Sequence, residues 1–131
     1  MDHLTAGRVV GIGIDAVDIA RFRRILGRRA GFERRVFADE ERTALAGRAD
    51  PVPSLAARFA AKEAVMKAMG VGLGAFRLVD VIVEREDSGA PRLWLRGGAA
   101  ALADRHGIGG WQVSLTHTEE LAQAVVLALA R

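Results

Sequence analysis

Apolar and polar positions change their period along the chain. Arg8–Asp15 (RVVGIGID) is a short apolar run with the character of a buried strand, and it ends on an acid. Asp18 then stands where a helix N-cap belongs. Ile19, Phe22, Ile25 and Leu26 recur at helical spacing as far as about Arg28. A second short helix is predicted from Asp39 to Ala46, stopped by Gly47, and Arg48–Pro53 reads as a loop. Ser54 is the expected N-cap of the longest helix, SLAARFAAKEAVMKAM, which Gly70 ends. Gly70–Gly74 (GVGLG) is a glycine-rich turn.

In the second half the period falls to two. Val79–Glu86 alternates as a half-buried strand, Asp87–Pro91 is a turn, and Arg92–Arg96 alternates as the hairpin partner. Ala99–His106 reads as a short helix closed by Gly107. Trp111–Thr118 is a further strand. Leu121–Ala130 (LAQAVVLALA) is compatible with strand or helix. Helices come first and antiparallel strands later, so the expected class is α+β.

The longest helix is unusual. At 100° per residue, Leu55, Phe59, Met66 and Met69 share an apolar stripe, and Ala57, Ala61, Ala64 and Ala68 fill the opposite side. A helix that is apolar or small nearly all round belongs at the centre of a fold. Yet Lys62 falls within the stripe, and Glu63 and Lys67 share its flank. Lys62 either snorkels to water or lines a cavity. Glu63 and Lys67 are either a surface i,i+4 pair or part of that cavity.

Composition narrows the chemistry. The chain has 131 residues, enough for one domain, and 27% of them are charged. It has no cysteine, which excludes disulfides and thiolate chemistry. His3, His106 and His117 lack the spacing of a zinc site. No apolar run approaches the roughly 18–20 residues of a membrane span, and Met1–Asp15 lacks a signal peptide's apolar core, so a cytoplasmic location is expected. Of the 19 basic residues, 17 are arginine, seven of them between Arg21 and Arg35. Such a stretch suits an acidic partner or phosphates, or is a solvated helix face. It also admits a second function class, a small arginine-rich nucleic-acid binder. That class leaves two buried-region acids without a purpose and has few aromatics for stacking on bases.

Four features could carry chemistry. Asp15 ends a buried strand, where a carboxylate needs a donor or cation; it is a helix cap, a metal ligand or a general base. Gly11, Gly13 and Ala16 superficially fit a dinucleotide fingerprint, but the strand is short and no βαβ alternation follows. Glu63 with Lys62 and Lys67 offers a carboxylate for Mg²⁺ and compact ammonium charges for phosphate. The GVGLG turn is a helix C-cap or a phosphate-approach loop. His117 ends a strand between two threonines, placed for structure or for a phosphate oxygen. Two carboxylates, two lysines, a glycine loop and a histidine are the components of a magnesium-dependent phosphoryl-type transferase.

Taken together, GIGIDAVDIARF (11–22), RFAAKEAVMKAMGVGLG (58–74) and VSLTHT (113–118) resemble the holo-acyl-carrier-protein synthases, single-domain 4′-phosphopantetheinyl transferases. The resemblance covers nearly the whole chain and implies one such domain over residues 1–131, a long central helix packed on a small, mainly antiparallel sheet. It implies transfer of the phosphopantetheine arm of coenzyme A to a serine of an acyl carrier protein, releasing 3′,5′-ADP. By motif, Asp15 and Glu63 would ligate Mg²⁺, and Lys67 would neutralise the pyrophosphate. His117 would contact phosphate oxygens. Arg58, Lys62, Gly72 and Gly74 would help hold coenzyme A, and Asp18 matches the family's next acid. The family is homotrimeric with sites between subunits, and Arg21, Arg24 and Arg28 would dock the acidic carrier protein.

Overall fold

The computed structural model describes residues 7–131; His3, noted above, lies outside the described residues. The elements run β1 (Val9–Asp18), α1 (Ile19–Arg28), α2 (Phe32–Val36), α3 (Asp39–Leu45) and α4 (Val52–Met69). A 3₁₀ turn (Leu78–Asp80), β2 (Val81–Arg85), β3 (Pro91–Leu95), α5 (Gly97–Arg105), β4 (Ile108–His117) and β5 (Leu121–Ala130) follow. This is the expected α+β class. One sheet has the order β1-β5-β4, all antiparallel, and β2 and β3 form a separate hairpin.

Several boundaries move for identifiable reasons. The strand expected to end at Asp15 continues to Asp18, because Ala16, Val17 and Asp18 pair with Gln123, Ala122 and Leu121. Asp18 still caps α1, its Oδ1 accepting from the Arg21 amide at 2.8 Å. α4 starts two residues before the expected cap. Pro53 suits its first turn, and Asp50 Oδ1 accepts from the Val52 amide at 3.1 Å. Ser54 is therefore inside the helix, with Oγ accepting from Arg48 Nη1 at 2.9 Å. α2 was not expected. It follows Gly31, whose φ of 81° makes the turn out of α1. The ambiguous last segment is a strand because it lies between two others that satisfy both of its edges.

The inner face of the sheet is built for close approach. Ala122, Ala124, Val126 and Ala128 of β5 are buried toward α4, whose Ala60, Ala61 and Ala64 are fully enclosed. A Cβ placed on Gly13 would lie 1.9 Å from the Ala64 carbonyl oxygen, and one on Gly11 2.0 Å from that of Ala68. The helix backbone thus lies directly on β1, which brings the end of β1 against α4. Gly13→Ala is expected to cost about 1–3 kcal/mol by overpacking, read as a lower unfolding midpoint. An unchanged midpoint would mean that α4 shifts freely on β1.

The outer face is different. Ile12 and Ile14 are 63% and 62% exposed, opposite Leu127 and Val125 of β5. The strip is apolar and uncovered in one chain, with polar Gln112, Ser114 and Thr116 beside it on β4.

Candidate active site

The site begins where β1 meets α4. Alternation along β1 turns Asp15 inward, on the same face as Gly13 and Val17. Its register partner on β5 is Ala124, a small residue that leaves room beside it. The Asp15 side chain is 15% exposed. Lys67 Nζ reaches across from α4 and donates to Asp15 Oδ1 and to the Ile14 carbonyl, both at 3.0 Å. Lys67 therefore pairs with Asp15 rather than with Glu63, its i−4 neighbour.

Glu63 lies one helical turn before Lys67, in contact with the Asp15 carboxylate. Burial, then the hydrogen bond and charge of Asp15, push Glu63 up to about 7, with Lys67 opposing. Two carboxylates held together, one half-buried, form a donor set that lacks positive charge. Lys67 supplies only part of it. The pair fits Mg²⁺, which takes one or two carboxylates and fills its remaining positions with water and substrate phosphate oxygens. Among the described residues no group of three or more His, Asp or Glu side chains is gathered for a metal, so the other ligands must come from outside this set.

A cavity of about 750 Å³ opens beside this pair. Glu63, Asp18 and Arg21 give its polar edge, and Phe22, Phe59 and Leu73 its apolar wall. Leu73 sits in the glycine turn after α4 and is 81% exposed. Gly70 ends α4 at φ 71° and Gly74 turns the loop at φ 93°, while Cβ atoms on Gly72 or Gly74 would meet nothing within 4 Å. The turn therefore combines the C-cap with an open backbone at the cavity rim. A smaller cavity of about 290 Å³, beside Glu33, Arg42 and Arg48, holds none of the motif residues.

Three expectations meet a different geometry. Lys62, expected to hold coenzyme A, has no exposed surface; its Nζ donates to Glu41 Oε1 at 2.7 Å and to the Leu78 carbonyl at 3.0 Å. It points to the side of α4 away from the β1-β5-β4 sheet, toward α3 and β2. Arg58 is 3% exposed, and its guanidinium donates to the carbonyls of Val83 and Ser54. Burial lowers its pKa, with Glu41 opposing. Neither side chain faces the cavity by the glycine turn. His117 is exposed at the end of β4, in the row of Ala122 and Val17. Two strand spacings and two residues separate its Cα from that of Asp15, roughly 12 Å. One chain therefore does not bring His117 to the carboxylates.

Arg21, Arg24 and Arg28 lie at i, i+3 and i+7 on α1, all exposed and, among the described residues, without a carboxylate partner. Arg23, on the other side, is taken up by a bidentate pair with Asp50 at 2.9 and 3.1 Å. Motif reading overlooked Glu41. Its signal was available: Glu41 and Leu45 are four apart and both buried, so an acid sits on the apolar stripe of α3.

Comparison with known proteins shows the family. Residues 11–126 match the family model of the 4′-phosphopantetheinyl transferase superfamily. A relative from Beutenbergia cavernae, named holo-[acyl-carrier-protein] synthase, is 46% identical over 120 residues, 92% of this chain and 97% of that protein. The structure of holo-[acyl-carrier-protein] synthase from Neisseria meningitidis superposes with a TM-score of 0.83 at 30% identity, over 92% of this chain and 98% of that one. The Bacillus anthracis synthase, solved in complex with CoA (3′,5′-ADP), gives 0.78 at 30% identity, over 96% and 100%. Matched over residues 11–126 and 46% identical to a relative over 92% of its length, the chain belongs to the 4′-phosphopantetheinyl transferase superfamily.

Proposed function

We propose that residues 1–131 act as one holo-acyl-carrier-protein synthase domain. The reaction moves 4′-phosphopantetheine from coenzyme A to a serine hydroxyl of an apo acyl carrier protein. The observation that carries this reading is the Asp15–Glu63 carboxylate pair with Lys67 beside it, at the edge of a 750 Å³ cavity. The serine Oγ–phosphorus bond forms as the phosphorus–oxygen bond to 3′,5′-ADP breaks, and the serine proton is released. Asp15 and Glu63 would hold Mg²⁺, which supplies positive charge to the pyrophosphate when bound. Lys67 adds an ammonium that neutralises phosphate oxygens and favours the leaving group. The open backbone at Gly72 and Gly74 lies at the cavity rim, where it suits the nucleotide end.

Three arginines on one face of α1, unpaired among the described residues, support docking of an acidic carrier protein, since no described carboxylate takes up their charge. The uncovered strip of Ile12, Ile14, Val125 and Leu127 supports a homotrimer packed through the outer face of the sheet. A neighbouring copy would then supply His117 to the carboxylates that its own chain does not reach.

The test is intact-mass measurement of an apo acyl carrier protein after incubation with this protein, coenzyme A and Mg²⁺. The expected result is a gain of one phosphopantetheine group that a chelator abolishes. A folded protein that modifies no carrier and binds no coenzyme A would overturn the reading.

A further inference from the structure

Lys62 and Glu41 form an ion pair with no solvent exposure on either side chain, and the catalytic reading above gives it no task. All three Lys62 donors and both Glu41 oxygens are engaged. Lys62 Nζ donates to Glu41 Oε1, to the Leu78 carbonyl and, by a short contact, to the Val81 carbonyl. Glu41 Oε1 also accepts from the Ala38 amide at 2.9 Å, and Oε2 from the Val83 amide at 3.1 Å. The Phe37 ring lies 5.4 Å from the ammonium. Stability alone is a weak reason for such a pair, because the desolvation of two charges offsets most of their attraction and apolar replacements often do as well.

Its position gives a better reason. Lys62 is the residue before Glu63, so the two side chains leave α4 about 100° apart. The sheet grips α4 from the other side, through the contact of Gly11 and Gly13 with the Ala68 and Ala64 carbonyls. Held from both sides, the helix cannot roll. A Glu carboxylate sits about 6 Å from a helix axis, so a 20° roll would carry it roughly 2 Å. That is a whole Mg²⁺–oxygen bond length, and Mg²⁺ tolerates little departure from its preferred geometry. The same ammonium holds the carbonyl of Leu78, and Leu78 lines the cavity with Glu63.

We propose that the buried Lys62–Glu41 pair is a positioning device that sets the roll of α4, and so places Glu63 for Mg²⁺-dependent coenzyme A binding. This rests on the transferase reading. Neither residue touches substrate; both act through Glu63.

The test compares the parent protein with the double variant Lys62→Met/Glu41→Leu and the single variant Glu41→Asp. The double variant removes both charges at similar volume but leaves the buried Ala38 and Val83 amides without their acceptor, so its unfolding midpoint is expected to fall by several degrees with the fold retained. Glu41→Asp keeps both charges and withdraws the carboxylate by one methylene. Coenzyme A binding is measured by calorimetry with Mg²⁺ and, separately, with chelator. In Mg²⁺ the double variant is expected to bind at least tenfold more weakly than the parent and Glu41→Asp several-fold more weakly, with equal binding by all three in chelator. That chelator arm separates positioning from a general loss of structure, which would weaken both. Folded variants that match the parent in Mg²⁺ overturn the positioning role alone, and Glu41→Asp decides it if the double variant does not fold. A parent that binds no coenzyme A overturns the transferase reading and the positioning role with it.

Discussion

Asp15→Ala is expected to lower phosphopantetheine transfer by on the order of 10³-fold or more. Among the described residues Asp15 and Glu63 are the two carboxylates gathered at the β1–α4 junction, and under the proposed reading the loss of Asp15 would leave Glu63 alone to hold a divalent cation. A bound cation contributes several kcal/mol of charge stabilisation in such reactions, and each ~1.4 kcal/mol is a factor of ten. The fold should persist. The side chain is at the end of the inner face of β1, 15% exposed, and Lys67 keeps its bond to the Ile14 carbonyl. The same variant separates the two function classes that the sequence raises. A nucleic-acid binder working through its arginines would bind as well or better without this negative charge. Undiminished transfer by Asp15→Ala, measured by intact mass, would remove Asp15 from the site.

Ile12→Glu is expected to convert an assembled protein into monomers and to lower transfer at least 100-fold. In an isolated chain Ile12 is 63% exposed, so a glutamate there should change stability by about 0.5 kcal/mol or less. Packed against neighbouring copies, the same glutamate becomes a buried, unpaired charge, at a cost of several kcal/mol per contact. Activity should fall with assembly because His117 stands roughly 12 Å from Asp15 within one chain. Sedimentation together with the transfer assay reads both effects. A fully active monomer would confine the site to one chain and remove His117 from it. A variant that stays assembled would place the interface elsewhere.

Much of this protein is legible from local pattern. Strand alternation, the Asp18 cap and the apolar girth of α4 follow from neighbours within a few residues, and short-range rules suffice for them. The same holds for Asp15, Glu63 and Lys67, which two short motifs carry. Other features depend on what lies across space. LAQAVVLALA satisfies either period, and only β1 on one side and β4 on the other make it a strand. Asp39, Glu40 and Glu41 read alike as first-turn acids, yet Glu41 alone turns into the core to meet Lys62. Glu63 and Lys67 are spaced for a helix-surface pair, but Asp15, more than fifty residues earlier, takes the lysine. Lys62 and Lys67 are five residues apart on one helix, and their roles diverge because α4 is enclosed. The sequence alone determined which residues are chemically capable and where most of the elements lie. The tertiary structure decided which side of α4 each charge faces, since the energy of a charge depends on the groups that replace its water.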